Sequence, residues 1–283
     1  MRSHSFNHAG IALPVIGQGT WDMPEHGARR AAAISAIRRG IALGMTHLDT
    51  AEMYGAGEVE RLLGEAIAGV PRASIFVASK VLPSNATYKG TIEACERSLR
   101  NLGLAHLDLY MLHWPSSTPL RETMRALGDL VHAGKTRFVG VSNFDVEEML
   151  EARDLLGEIP LACNQVLYHL RERGIEHRLI PQAQAAGVAI VAYTPFGRGK
   201  FPGPTSNGGA VLTRIAQEHR ATPRQVILAF LTREPNVFTI PKASTVAHVE
   251  ENAAAGDLVL DASDLAAIDS AFPAGPQRPL ATL

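Results

Sequence analysis

Short apolar runs rich in β-branched and aromatic residues recur roughly every thirty residues, each followed by a stretch of helical periodicity. The runs are "VIGQGTW" (15–21), "MTHLDTA" (45–51), "IFVASK" (75–80), "LDLYMLHW" (107–114), "RFVGVSNF" (137–144), "ACNQVLY" (162–168), "VAIVAYTPF" (188–196) and "VFTIPKAS" (237–244), eight in all. Between them, Leu120, Met124, Leu127 and Val131 fall on one helical face, as do Ile92, Cys95, Leu99 and Leu102. Thr222 followed by Pro223 marks another helix start, and Gly44, Gly103, Gly134 and Gly187 close helices just before the next strand. Strands alternating with helices imply parallel pairing with helices outside, and eight such units predict an α/β fold, a closed (β/α)8 TIM barrel. Residues 5–14 read as a short hairpin capping the barrel bottom. Residues 197–209 ("GRGKFPGPTSNGG") are too rich in glycine and proline for an element and predict a loop over the upper face. No linker interrupts the pattern, so residues 1–283 read as a single domain.

Composition narrows the class. Hydrophobic residues make up 46% of the 283, enough for a substantial core, and a net charge of −1 with interspersed signs argues against a nucleic-acid surface. Two cysteines, Cys95 and Cys163, are too few for a disulfide framework or a zinc site, and no metal site is expected. The start "MRSHSFNHAGIALP" has no signal pattern, and no apolar run reaches the ~20 residues that span a bilayer, so the reading is a cytoplasmic protein.

Barrel enzymes carry their chemistry at the C-terminal ends of strands. Those ends supply Trp21, Asp49, Lys80, His113, Ser142, Asn143, Gln165, Tyr193 and Lys242. Each has an ordinary alternative. Asp49 can cap the next helix, Lys80 can be a solvated strand end, His113 a core histidine, and Tyr54 a packing residue. The apolar run before Lys80 favours burial, and a buried lysine needs a counter-ion, for which Asp49 is available. The stretch "HLDTAEMYGAGEVE" (47–60) also invites a dinucleotide fingerprint at Gly55 and Gly57, but the third glycine is absent, because position 60 is Glu60.

Taken together, "HLDTAEMYG", "VASK", "LDLYMLHWP", "GVSNF", "NQVLYH", "VAYTPFG" and "IPKAS" resemble, in order, the motifs of the aldo-keto reductases. The resemblance runs from about residue 10 to 255. It implies an NADP-dependent carbonyl reductase with Asp49, Tyr54, Lys80 and His113 as the catalytic tetrad, and the short segments after His113 and Phe272 narrow the expected substrates to small aldehydes or ketoaldehydes. In that chemistry the carbonyl oxygen gains negative charge and needs a proton; Lys80 beside Tyr54 should lower the tyrosine pKa, Asp49 should hold Lys80, and His113 should orient the carbonyl. Trp21 and Trp114 would wall the substrate pocket. By the same resemblance Tyr193 stacks on the nicotinamide and Ser142, Asn143 and Gln165 hold its amide, with Gly19, Thr20, Thr194, Pro195 and Phe196 also against the cofactor.

The phosphate end reads as "PKASTVAHVEEN" (241–252), where Ser244 or Thr245 can cap a helix whose start favours an anion, and Lys242 adds charge. The resemblance implies Glu251 and Asn252 near the adenine. Many relatives carry an arginine six residues after the lysine, on the ribose 2′-phosphate; here that position is His248, which lacks the bidentate fork. NADPH is the expected cofactor, with NADH possible because of His248. The short segment after His113 and the short polar tail after Phe272 suit small carbonyl substrates rather than steroids. A monomer without nucleic-acid or membrane partners is expected. The alternatives are an NADPH-binding redox-sensing regulatory subunit with little turnover, and an aldolase-type barrel using Lys80 as a Schiff-base nucleophile.

Overall fold

The computed structural model describes residues 1–6, 10–198 and 201–282. Its chain begins with an antiparallel hairpin, β1 (Ser3–Phe6) and β2 (Ile11–Pro14). Part of the hairpin turn (7–9) and two residues of the predicted 197–209 loop (199–200) lie outside the described residues. Then follow β3 (Gln18–Gly19), α1 (Gly27–Ala42), β4 (His47–Asp49), α2 (Glu58–Ile67), β5 (Phe76–Val81), α3 (Tyr88–Leu102), β6 (Leu107–Leu112) and α4 (Leu120–His132). The second half comprises β7 (Thr136–Ser142), α5 (Val146–Leu155), β8 (Leu161–Leu167), α6 (Leu179–Ala186), β9 (Ala189–Tyr193), α7 (Asn207–Glu218), α8 (Pro223–Leu231), β10 (Val237–Thr239), α9 (Val246–Ala254) and α10 (Ala262–Ala271).

Strands β3 to β10 pair in parallel in chain order. The ring closes where Ile16 bridges Thr239 and Gly19 bridges Lys242, with the Gly17 amide donating to the Thr239 carbonyl at 2.8 Å. Closure requires a close backbone approach. A Cβ on Gly19 would sit 2.5 Å from the Ile240 carbonyl oxygen, so only glycine fits there. The result is the expected (β/α)8 barrel with its hairpin below. Asp49, Lys80, Ser142, Gln165 and Tyr193 lie at or near the ends of their strands, while Trp21, His113, Asn143 and Lys242 follow just after them. The predicted 197–209 loop is shorter than expected. Ser206 accepts from the Gly209 amide and caps α7, so residues 207–209 are helical despite two glycines.

Period-two alternation sorts each strand into an inward and an outward set. Outward residues pack under the helices in the larger core cluster. Inward residues stack in layers. The floor is Phe6 of the hairpin, edge-on to His47, Phe76, Phe138 and Phe238. Above it, Ala78, Leu109, Met111, Cys163 and Val191 fill the middle, and the layer above those is polar.

His47 sits in that apolar floor fully buried, and neither ring nitrogen has a hydrogen-bond partner among the described residues. Burial lowers its pKa to about 4, with Asp49 and Lys80 acting as smaller opposing influences. The folded value lies below the ordinary ~6.5, so its stabilising contribution is complete above that pH and is lost as pH falls toward 4. His47→Leu should therefore flatten the acid limb of stability between about pH 6.5 and 4 by up to ~1.4 kcal/mol per pH unit. Urea unfolding across that range checks this, and an unchanged slope would contradict it.

Candidate active site

The polar top layer is built around Lys80. Alternation that points Phe76 and Ala78 of β5 inward also points Lys80 inward, and the ammonium is fully buried. Its three protons have three acceptors: Asp49 Oδ1 at 2.6 Å, the Thr50 carbonyl at 2.8 Å and the Tyr54 hydroxyl oxygen at 3.3 Å. Burial alone would lower the lysine pKa, but Asp49 and Tyr54 outweigh it and hold the group above its ordinary value. An ammonium whose three protons are all bonded, one of them to a carboxylate, is not poised as a Schiff-base nucleophile, which argues against the aldolase-type alternative.

Asp49 is held from both sides. Its Oδ2 accepts from Gln165 Nε2 at 2.8 Å, and its carbonyl accepts from the Thr20 hydroxyl at 2.9 Å. Asp49 therefore sits as a buried counter-ion and caps no helix. Thr20 is buried in this tie between β3 and β4 and does not line the cavity.

Tyr54 follows in a 3₁₀ turn, Tyr54–Gly57, in which Gly55 and Gly57 both have positive φ. The turn leads into α2, and there Glu60, fully buried, accepts from Ser79 Oγ at 2.7 Å, so the turn is tied to the strand residue beside Lys80. Burial raises the Tyr54 pKa, Lys80 pulls it back and Asp49 raises it again; the net direction is upward. The expectation that Lys80 would leave the tyrosine below its ordinary value is thus corrected. Lysine offsets only part of the burial effect. Because the hydroxyl oxygen accepts from Lys80, its own proton is left to donate toward the cavity.

His113 ends β6 with its ring edge-on to Tyr54 at 5.9 Å between centroids. Burial, and then Lys80, lower its pKa to about 2, so the ring is neutral. Nδ1 is buried with no acceptor among the described residues, which favours the tautomer with its proton on Nε2, on the ring that lines the cavity.

These groups line a cavity of about 700 Å³ at the C-terminal end of the strands. Gly19, Trp21, Asp49, Tyr54, His113, Trp114, Ser142, Asn143, Gln165, Tyr193, Thr194, Pro195, Phe196 and Lys242 all reach it. On one wall the Tyr193 hydroxyl donates to Asn143 Oδ1 at 2.8 Å, and Asn143 Nδ2 donates to the His113 carbonyl at 3.1 Å. Ser142 Oγ donates to the Gln165 carbonyl at 2.8 Å. Asn143 and Thr194 both hold positive φ, strained for residues with a side chain. Ser244, Thr245, His248, Glu251 and Asn252 do not line this cavity. They lie just beyond Lys242, where Thr245 is the residue that caps α9, accepting from the His248 amide at 3.4 Å. Asn252 is buried, and Glu251 accepts from the Thr222 hydroxyl at 2.8 Å, joining α9 to the start of α8.

Asp22, Met53, Arg198 and Ile240 also line the cavity and were not singled out in the sequence. Arg198 stands 5.8 Å from the Trp21 ring centre, at the mouth. The usable signal was its place in the loop after the seventh strand, where a charged side chain can reach back over the barrel. In the C-terminal tail, residues 277–281 line a separate cleft against α5 and α6 instead.

Fold and site together define a (β/α)8 barrel with a buried tyrosine hydroxyl and its lysine partner beneath an open pocket. A model of the Aldo/keto reductase family matches residues 15–272, and the chain belongs to that family. It is 44% identical over 267 residues to methylglyoxal reductase YeaE of Escherichia coli (strain K12), covering 93% of each chain. It is 34% identical over 268 residues to a glyoxal reductase of Bacillus subtilis (strain 168), covering 93% of this chain and 90% of that one. The crystal structure of an aldo/keto reductase from Klebsiella pneumoniae in complex with NADP and acetate superposes over 100% of both chains with a TM-score of 0.91 at 39% identity.

Lys80→Met should cost about 3–5 kcal/mol of stability by leaving Asp49 buried and unpaired. Adding Asp49→Asn should restore most of that loss. Urea unfolding of the single and double variants measures both, and a single variant as stable as the parent would contradict the pairing.

Proposed function

We propose that this chain reduces small aldehydes and ketoaldehydes to alcohols with NADPH, Tyr54 giving the proton to the carbonyl oxygen. The observation that carries the reading is the direction of the Tyr54 proton. Lys80 occupies a lone pair of the hydroxyl, and Asp49 and the Thr50 carbonyl fix Lys80, so the phenol can donate only outward.

The cavity fits the cofactor. Its volume of about 700 Å³ suits an organic ligand, and one wall offers a tyrosine face beside amide and hydroxyl groups. Gln165 gives its amide nitrogen to Asp49 and keeps its oxygen as an acceptor, the partner that a carboxamide N–H requires. Ser142, Asn143 and Gln165 would hold that carboxamide, Tyr193 would cover the ring, and Lys242 would meet the phosphates. When bound, NADPH supplies the hydride that the carbonyl carbon accepts.

The protein residues do the rest. His113 Nε2–H donates to the carbonyl oxygen and fixes its direction toward Tyr54. The raised Tyr54 pKa keeps the phenol protonated in the resting site, and the buried Lys80 ammonium stabilises the phenolate left after transfer. Trp21, edge-on to Tyr54 at 5.1 Å, and Trp114, tilted on His113 at 4.7 Å, wall the entrance. Both stay partly exposed, and tail residues 277–281 line a different cleft, which supports small, polar substrates over steroids. The names of the methylglyoxal and glyoxal reductase relatives support the same substrate class.

Tyr54→Phe should lower kcat for methylglyoxal by at least about a hundredfold while leaving NADPH binding within about twofold. NADPH consumption at 340 nm and cofactor quenching of tryptophan fluorescence give the two readouts. Retained turnover would refute Tyr54 as the acid. A parent protein that binds NADPH yet turns over no small aldehyde would favour the regulatory reading instead.

A further inference from the structure

Arg224, the second residue of α8, carries a cation that neither the barrel nor the catalytic site uses. Its guanidinium carbon lies 4.8 Å from the Phe196 ring centre and 4.9 Å from that of Phe201. The two rings are tilted by 59° at 6.3 Å and both pack on the core, so they form an anchored aromatic cradle. Among the described residues no carboxylate pairs with Arg224. Glu251, on the neighbouring helix, is already bonded to Thr222, which with Gln225 locks the start of α8 onto α9. A cation in the first turn of a helix also opposes the helix dipole. Aromatic faces thus hold a charge whose N–H edges have no acceptor among the described residues, at an unfavourable place for a purely structural arginine. Phe196 connects it to the active site, because its ring lines the cavity together with Lys242.

We propose that Arg224 selects NADPH by binding its ribose 2′-phosphate. The proposal rests on the reading of the Lys242 corner as the phosphate end of the cofactor. A phosphate monoester carries about −1.5 to −2 charges at pH 7, more per phosphorus than either half of the diphosphate, and matches the planar two-pronged donor of a guanidinium. Stacking orients that plane in advance, so less side-chain freedom is lost on binding. His248 offers no such fork. Arg224 makes good what that position lacks, and the weak discrimination against NADH expected from His248 gives way to a clear preference for NADPH.

Calorimetry with 2′,5′-ADP and 5′-AMP tests this without turnover, on the parent, Arg224→Ala and Arg224→Lys. The parent should bind 2′,5′-ADP at least about tenfold more tightly than 5′-AMP. In Arg224→Ala that ratio should collapse toward one through weaker 2′,5′-ADP binding, with 5′-AMP within about twofold of the parent. Arg224→Lys should fall between, as a charge without the fork. Arg224 is exposed, and equal thermal midpoints for the three proteins confirm the fold. An unchanged ratio in Arg224→Ala would overturn the proposal, as would a parallel loss for both nucleotides, which would place Arg224 on the adenine or the shared 5′-phosphate. A parent that binds neither nucleotide would overturn the cofactor reading along with it, whereas the other two failures leave that reading standing.

Discussion

One buried ion pair holds the active site together. An ammonium out of water is tolerable only when every proton is bonded and a counter-charge is in contact. Lys80 meets that demand with Asp49, Thr50 and Tyr54, and in doing so ties the ends of β4 and β5 to the turn that carries the tyrosine. Asp49 spreads the constraint further, to β3 through Thr20 and across the barrel to β8 through Gln165. Nothing in the pair can move without stranding a charge, so the Tyr54 hydroxyl is positioned by electrostatics as much as by packing.

The barrel makes such a pair possible. Its inward positions are graded from an aromatic floor through small and medium apolar side chains to polar groups at the top. The floor excludes water from below, which strengthens every charge interaction above it. The same exclusion lowers the His113 pKa to about 2 and pushes the Tyr54 hydroxyl up, leaving two neutral hydrogen-bond donors beside one permanent cation. Cavity residues with positive φ, Asn143 and Thr194, show that this wall of the cavity is held in place at some conformational cost.

Much of this was legible in the sequence. Eight apolar runs, the helix-closing glycines and the polar strand ends are local features, and each survives folding close to where it is written. The partner of Lys80 was also legible, since the apolar run "IFVAS" favours burial of the lysine after it and Asp49 was at hand as a counter-ion. What could not be read depends on contacts across the barrel. Thr20 looks like a loop hydroxyl until β4 is placed beside it. The Tyr54 shift is a balance between burial and a cation whose sizes only the packing sets. Arg198 and Arg224 are unremarkable along the chain, and their settings come from aromatic rings brought in by other segments. The start of α7 was hidden because its first turn contains two glycines, and Ser206 overrides their reluctance by capping it.

The claim beneath the whole account is that Lys80 acts on the tyrosine hydroxyl as a stabilising charge. Carbon-13 NMR of tyrosine Cζ through an alkaline titration, with the Tyr54 signal assigned by its absence in Tyr54→Phe, measures this directly in the parent and in Lys80→Met. The parent Tyr54 should titrate above an ordinary tyrosine, and in Lys80→Met it should titrate higher still or stay protonated throughout. A Tyr54 signal that titrates at the same pH in both proteins, or at lower pH without the lysine, would contradict the account.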